Sequence, residues 1–402
     1  MKTITFTVLI LMSCIGSSLS AGQTVGWRGD ATGRYLSATP PLTWSKTNNV
    51  VWNTKLPHFS NATPLLLKNR LLVCDEPSTL ICLDASNGQI LWQKTNTYAE
   101  VLSPAEIEQA KQVYTNLSAN PKTHGVTGFS SPSPVTDGQR VYAVFGNGVA
   151  VCYDLDGTRV WGRLVERSTH DWGHSASPVL VGKTLLVHVL KMTALDVANG
   201  KTLWATESPA GWGTSVAAKI GDVDVVITPK GDILRISDGV KLARSVSKLD
   251  YCAPVVEGDK VYFVENGGKA IRLPAAVVEP VKVETLWQTK MAADRYYASP
   301  VLYKDRLYAV HQKGNFSTVD AVSGTIVSEQ KLNLGGTFYP SVTLAGHYLF
   351  VSSDTGETVV FDLDDGCKEV ARNQLAPFRS SPVFEGARLY IRTLGGVYCV
   401  GR

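Results

Sequence analysis

The chain lacks the groups that mark a zinc or redox centre: no CxxC pair occurs, and no Cys/His cluster stands at metal-ligand spacing. Charge of one sign is not in excess either, because 39 Lys and Arg against 35 Asp and Glu leave +4. Without a basic stripe, nucleic acid is not an expected partner. Beyond residue 21 no apolar run is long enough to cross a bilayer, so no transmembrane segment is expected.

The one long apolar stretch is at the start. Met1-Lys2, the run from Ile4 to Ile15 and the small residues after it read as a secretory signal over residues 1–21, cleaved near Ser20 or Ala21. Leu11-Met-Ser-Cys14 is an imperfect lipidation box, with Met12 bulkier than the small residue usual there. The expected location is therefore the periplasm, the cell envelope or the outside, with possible anchoring through Cys14. Six further cysteines, at 74, 82, 152, 252, 367 and 399, fall mostly at apolar strand positions where a small hydrophobe suffices. Cys74 and Cys82 could face each other across a hairpin.

What is present is repetition. Residues 60–92 read SNATPLLLKNRLLVCDEPSTLICLDASNGQILW: an apolar run after Pro64, a turn at Lys68-Asn69, two more runs, an Asp84-x-x-x-Gly88 turn and a last strand ending in Trp92. One four-stranded sheet buries too little to stand alone, so it must stack on copies of itself. The copies follow in order. They run from Pro134 to Trp161, Pro178 to Trp204, Pro254 to Trp287, Pro300 to Gly324, Pro340 to Gly366 and Pro382 to Val400, with a degenerate copy between Trp204 and Asp250. A period near forty residues with four strands per unit marks a β-propeller.

Eight units are present and the last stops at its third strand. Residues 49–56, which carry the unit-ending residue Trp52 but precede the first unit, supply the missing strand and close the ring. The expected fold is all-β: an eight-bladed propeller of four-stranded antiparallel blades over residues 49–402, behind a lead-in over residues 22–48. The chain is 402 residues long and 44% hydrophobic, and one closed ring accounts for that length. An insertion over residues 95–127 holds a short helix, with Ser103 as N-cap, Pro104 at the first position and Glu106 completing a capping box. Its apolar face is Ile107, Ala110, Tyr114 and Leu117. It is expected over one end of the ring between blades 1 and 2.

The sequences LDASNGQILW and LDVANGKTLW resemble the repeat of the pyrroloquinoline-quinone-type propellers, over roughly residues 50–402. That superfamily includes quinoprotein alcohol dehydrogenases and an eight-bladed outer-membrane assembly lipoprotein. The resemblance implies the fold and says less about activity, because one scaffold carries several functions.

In a propeller the connection into each innermost strand lies at one mouth of the central channel. The residues ahead of those strands are rich in aromatic and charged groups, and they give the candidate ligand-binding set: His170, Asp171, Trp172, His174, Trp212, Arg295, Tyr296, Tyr297, Phe338, Tyr339, Phe378 and Arg379. Arg295 and Arg379 are suited to a carboxylate or another anion. Loops between second and third strands should add Lys230, Glu265, His311, Lys313 and Arg392.

Two functions fit this layout. The preferred one is an exported, non-catalytic, monomeric propeller that binds a protein or glycan of the cell envelope at its aromatic mouth, with no cofactor, no metal and no catalytic residue. The other is a quinoprotein dehydrogenase oxidising an alcohol or sugar with PQQ and calcium, as the resemblance allows. Enzymes of that family carry a vicinal cysteine pair over the cofactor, and no two cysteines are adjacent here. Their calcium-ligand motifs are not matched either.

Overall fold

The computed structural model describes residues 26–114, 117, 125, 127–168 and 172–401. The expected signal segment, with Cys14, lies outside them. Eight antiparallel sheets succeed one another along the chain, one of them widened by a fifth strand. Blade 1 consists of Leu65–Leu67, Arg70–Asp75, Thr79–Asp84 and Ile90–Thr95. The degenerate copy is a complete blade 4, Val216–Ile220, Val223–Ile227, Ile233–Arg235 and Lys241–Ala243, although it lacks both Pro and Trp. Blade 8 has Val383–Glu385, Arg388–Thr393 and Gly396–Gly401, and its outer strand is Val50–Lys55, with Val50 opposite Val400 and Trp52 opposite Cys399. The ring closes as the sequence implies.

Alternation along the strands sends side chains into the wedges on both sides of each blade. Ile81 and Leu83 join the cluster between blades 8 and 1, whereas Leu80 and Cys82 join the one between blades 1 and 2. Cys74 lies opposite Leu80 and Cys82 opposite Leu72, so the two cysteines do not face each other across the hairpin. Both are buried and free.

The Trp and Gly of the repeat interlock between neighbours. The indole N–H of Trp52 donates to Ala85 O in the next blade at 3.1 Å, and Trp92, Trp161, Trp204 and Trp287 repeat the bond onto Leu155, Val197, Ile236 and Ala321. Each indole also lies on the turn glycine of that next blade. A Cβ on Gly88 would stand 2.5 Å from Trp52, and one on Gly324 2.6 Å from Trp287. Blade 6 has Ser328 where the Trp would be, and the glycine it faces in blade 7, Gly366, has nothing within 4 Å.

A hydrogen-bonded belt runs around the channel at the start of the innermost strands. The backbone N–H of Thr63 donates to Ser133 Oγ at 2.9 Å, Ser133 N–H to Ser177 Oγ at 2.9 Å, and Ser177 N–H to Thr214 Oγ1 at 3.1 Å. Ala253, which has no hydroxyl, interrupts the series. It resumes from Ala253 N–H to Ser299 Oγ, Ser299 to Ser341, Ser341 to Ser381, and Ser381 back to Thr63 at 2.9–3.1 Å. These Ser and Thr residues, which in most units precede the anchor Pro, thus tie each blade to the next except blade 4 to blade 5.

The seam between blades 8 and 1 holds a buried ion pair. Arg392 Nη2 donates to Asp75 Oδ1 at 2.6 Å and to His58 O at 2.8 Å, while Nε donates to Cys74 O at 3.2 Å. Arg392 was expected at the mouth. Its fork instead finds carbonyls and a carboxylate inside the seam, where burial pushes its pKa down to about 10.

The lead-in does more than approach the ring. Arg34–Tyr35 runs parallel to Thr343–Ala345, and the turn at residues 26–33 continues across the channel. Arg28, fully buried, donates to Pro300 O at 2.9 Å and Val342 O at 2.7 Å, while a Cβ on Gly26 would touch Val135 Cγ2 at 2.9 Å. Blade 2 and blades 6 and 7 are therefore bridged through the middle of the ring. The insertion forms Tyr98–Val101 and Pro104–Val113, the second with the expected capping box. Its apolar residues pack into the wedge between blades 1 and 2, and neither helix lines the central cavity.

Gly324 and Gly366 both have positive φ, 76° and 69°, so alanine at either place costs about 1–2 kcal/mol from the backbone. Only Gly324→Ala also displaces an indole. Its urea midpoint is expected to fall clearly below that of Gly366→Ala; equal midpoints would show that the Trp–Gly contact contributes little.

Candidate functional site

The channel holds a cavity of about 550 Å³. Its lining follows one rule. Take the belt residue of each blade and count two back, since residues two apart in extended chain share a face. The result is Asn61, Ser131, Ser175, Trp212, Tyr251, Tyr297, Tyr339 and Arg379, and all eight line the cavity together with Thr63, Ser133, Ser177, Thr214, Ser299, Ser341 and Ser381. Trp27 from the lead-in, Trp172, Thr127 and Arg295 complete the wall.

The same rule sorts the candidates with the exception of Trp172, which stands five places before Ser177 and still reaches the cavity. Trp172, Trp212, Arg295, Tyr297, Tyr339 and Arg379 come together around the cavity. His174, Tyr296, Phe338 and Phe378 stand three residues before the belt, one step out of phase, and are buried. Tyr296 packs edge-on against His311 at 5.2 Å, Phe338 covers Gly314, and Phe378 belongs to the core around blade 8. These four fill wedges and do not line the cavity. His170 and Asp171 lie outside the described residues. Tyr251 also stands ahead of an innermost strand but is absent from the candidate set, and sequence reasoning passed over Asn61, Ser131, Ser175, Trp27 and the belt hydroxyls; counting by twos back from the belt positions reaches all of these but Trp27.

The lining is lopsided. Blades 1 to 3 offer small polar groups, and blades 4 to 8 offer Trp, three Tyr and Arg. Tyr297 stacks on Tyr339 with centroids 4.5 Å apart, and Tyr251 meets Tyr297 edge-on at 5.0 Å. The guanidinium of Arg379 lies 4.2 Å over the Tyr339 ring, and that of Arg295 lies 5.3 Å over Tyr251 and donates to Tyr297 Oη at 3.0 Å. Burial raises the hydroxyl pKa of Tyr339 and Tyr251, with Arg379 and Arg295 pulling the other way, so both phenols stay neutral.

Carboxylates stand behind this arc and hold it. Glu265 accepts the N–H of Asp250 at 2.7 Å and of Tyr251 at 3.2 Å; Asp354 accepts Thr337 N–H at 2.9 Å and meets Arg379 at 3.5 Å; Asp250 pairs with Lys230. Neither Lys230, Glu265, His311 nor Lys313 lines the cavity. Among the described residues the lining has no carboxylate, imidazole or thiol, and no cluster of three metal-ligating side chains occurs. A cation there would find hydroxyl and amide oxygens only.

A family model described as outer membrane protein assembly factor BamB matches residues 37–120, 122–243 and 241–366. The chain belongs to that family. Its fold is the eight-bladed PQQ-like propeller. No curated protein sequence matches the chain. Among solved structures, BamB from Moraxella catarrhalis is similar with a TM-score of 0.62 and 13% identity over 88% of this chain and 99% of that one. A europium-containing methanol dehydrogenase gives 0.61 and 11% over 90% and 96%, and the computationally designed Ika8 protein 0.60 and 10% over 88% and 100%. At 10–13% identity these likenesses carry the fold alone.

His174 has a measurable signature. Burial, with His188 adding a smaller push, lowers its pKa from the ordinary 6.5 to about 3, and His188 is lowered too. The unfolded chain therefore binds protons that the folded chain refuses. Stability is fully present above about pH 6.5 and falls as the pH drops toward 3, by on the order of 2 kcal/mol at pH 5 from His174. Urea midpoints at pH 7.5 and 5.0 should differ less in His174→Gln than in the parent; an unchanged difference would place His174 in contact with solvent.

Proposed function

We propose that the chain is an exported, non-catalytic scaffold that holds a protein or glycan of the cell envelope at the aromatic mouth of its channel. The observation that carries this reading is the arc Trp212, Tyr251, Tyr297, Tyr339 and Arg379, one residue from each of five consecutive blades. Tyr, Trp and Arg give contact area with little loss of side-chain freedom and dominate protein-binding hot spots. An envelope location accords with the assembly-factor family and with the signal-like residues 1–21.

The quinoprotein alternative has a dehydrogenase among the similar structures in its favour. The donor set does not fit it. Calcium is held mainly by oxygen ligands that include carboxylates, and the described lining presents none. The nearby Asp354, Asp250 and Glu265 are engaged by Arg379, Lys230 and backbone N–H groups, so none is placed as a base.

The test pairs two measurements. Tyr297→Ala and Arg379→Ala, each with a parent-like urea midpoint, are expected to capture an envelope partner at least about tenfold more weakly than the parent, since each removes a hot-spot side chain. Titration of the purified protein with PQQ and calcium, followed by absorbance and dye reduction, is expected to show no uptake. Unaltered capture by both variants, or saturable quinone uptake with alcohol or sugar oxidation, would overturn the reading.

A further inference from the structure

We infer that the cavity takes the acidic end of a glycan, a terminal uronic acid with its neighbouring sugar; this rests on the binding reading above and names the ligand class. The channel is blocked by the turn at residues 26–33, pinned through Arg28 to Pro300 O and Val342 O, with Trp27 in the cavity wall. A chain cannot thread through, so a ligand enters by its end. A cavity of about 550 Å³ is the size of a small-ligand site and accommodates one or two sugar rings.

The belt sets the polarity. Each of its hydroxyls, Thr63, Ser133, Ser177, Thr214, Ser299, Ser341 and Ser381, accepts a backbone N–H and lines the cavity. Among the described residues none of these hydroxyls donates its hydrogen to a protein acceptor. The belt is thus a buried ring of O–H donors with no carboxylate in the same wall, which complements an oxyanion.

The walls above it divide. On the blade 2 and 3 side, Ser131 Oγ donates to Thr127 O at 2.6 Å and accepts Asn61 Nδ2 at 3.2 Å, while Ser175 Oγ donates to Trp212 O at 2.7 Å, which leaves acceptor capacity on both oxygens, the larger share on Ser175, for ligand hydroxyls. On the other side Tyr339 is covered by Tyr297 and by Arg379, which also meets Asp354 at 3.5 Å, and Tyr251 carries Arg295, which donates to Tyr297 Oη, so this arc brings phenols, the indole of Trp212 and two guanidiniums with protein partners of their own to the wall. A sugar ring has apolar C–H faces and hydroxyls that both donate and accept. A uronic acid adds a carboxylate for the belt and the guanidiniums. An acidic peptide end would satisfy the donors but would leave the Ser131 and Ser175 acceptors without hydroxyl partners.

The probe is digalacturonate, titrated into the full mature chain by calorimetry and by tryptophan fluorescence, which Trp27, Trp172 and Trp212 report from within the site. Binding is expected to saturate and to be at least about tenfold tighter than for the neutral digalactose. Arg379→Gln and Arg295→Gln should each weaken digalacturonate about tenfold while changing digalactose little. Ser299→Val should weaken it as well; because it also removes an N–H acceptor, the arginine variants decide if it fails to fold. Equal affinity for the neutral and acidic disaccharides, insensitivity to both arginine variants, or tighter binding of a Glu-Glu dipeptide would overturn the inference. So would the lack of any binding. If envelope capture by the mouth persists in that case, the ligand class fails and the binding reading stands.

Discussion

The structure depends on the seam at which Val50–Lys55 pairs with Gly396–Gly401. Every blade has two apolar faces, and a row of such blades leaves the outer faces of its first and last members bare unless the row becomes a ring. Trp52 serves both purposes: it completes the sheet of blade 8, and its indole docks on Ala85 and Gly88 of blade 1. The buried Arg392–Asp75 pair sits at the same joint. Taking two charges out of water is tolerable there because the guanidinium is also met by the carbonyls of His58, Cys74 and Gly396, and the carboxylate by His58 Nδ1.

Closure converts a linear repeat into a circular one, and the hydroxyl belt exists only because of it. Its last link, Ser381 N–H to Thr63 Oγ1, joins residues 318 positions apart. The belt fixes the eight innermost strands at one height, so side chains that never meet in sequence face one another across a cavity. At the single gap, Ala253, the core cluster containing Ala253 and Cys252 is the one against which Trp27 packs. Trp27 thus packs on the side of the ring where the belt is open, while Arg28 and the strand Arg34–Tyr35 hold the lead-in to blades 6 and 7.

The fold was legible because a repeat states its own architecture: Asp-x-x-x-Gly turns, Trp plates and Ser/Thr-Pro anchors recur at fixed offsets, and even the degenerate blade 4 keeps the register of its neighbours. The site was legible only in part. Tyr296 and Tyr297, Phe338 and Tyr339, and Phe378 and Arg379 are adjacent pairs of similar promise, and hydrophobicity does not say which member turns inward. Parity does. The first of each pair is in the wedge and the second in the cavity. Arg28 was beyond reach for a different reason, since its partners are main-chain carbonyls at residues 300 and 342 that no side-chain pattern announces.

Stability and cavity lining are assigned to different positions of the same strand. The belt residue works through its hydroxyl and a neighbour's N–H, the aromatic residues and His174 three places before the belt fill wedges, and the residue two places before the belt has its side chain in the cavity. That last position reads Asn, Ser, Ser, Trp, Tyr, Tyr, Tyr, Arg around the ring. A change there alters the lining while leaving the belt, the Trp–Gly docking and the closing strand untouched. This separation gives a physical reason why propellers only 10–13% identical to this chain share its scaffold while bearing names as different as an assembly factor, a methanol dehydrogenase and a designed protein. The ring fixes where the cavity lies, and eight side chains at one offset set most of its lining.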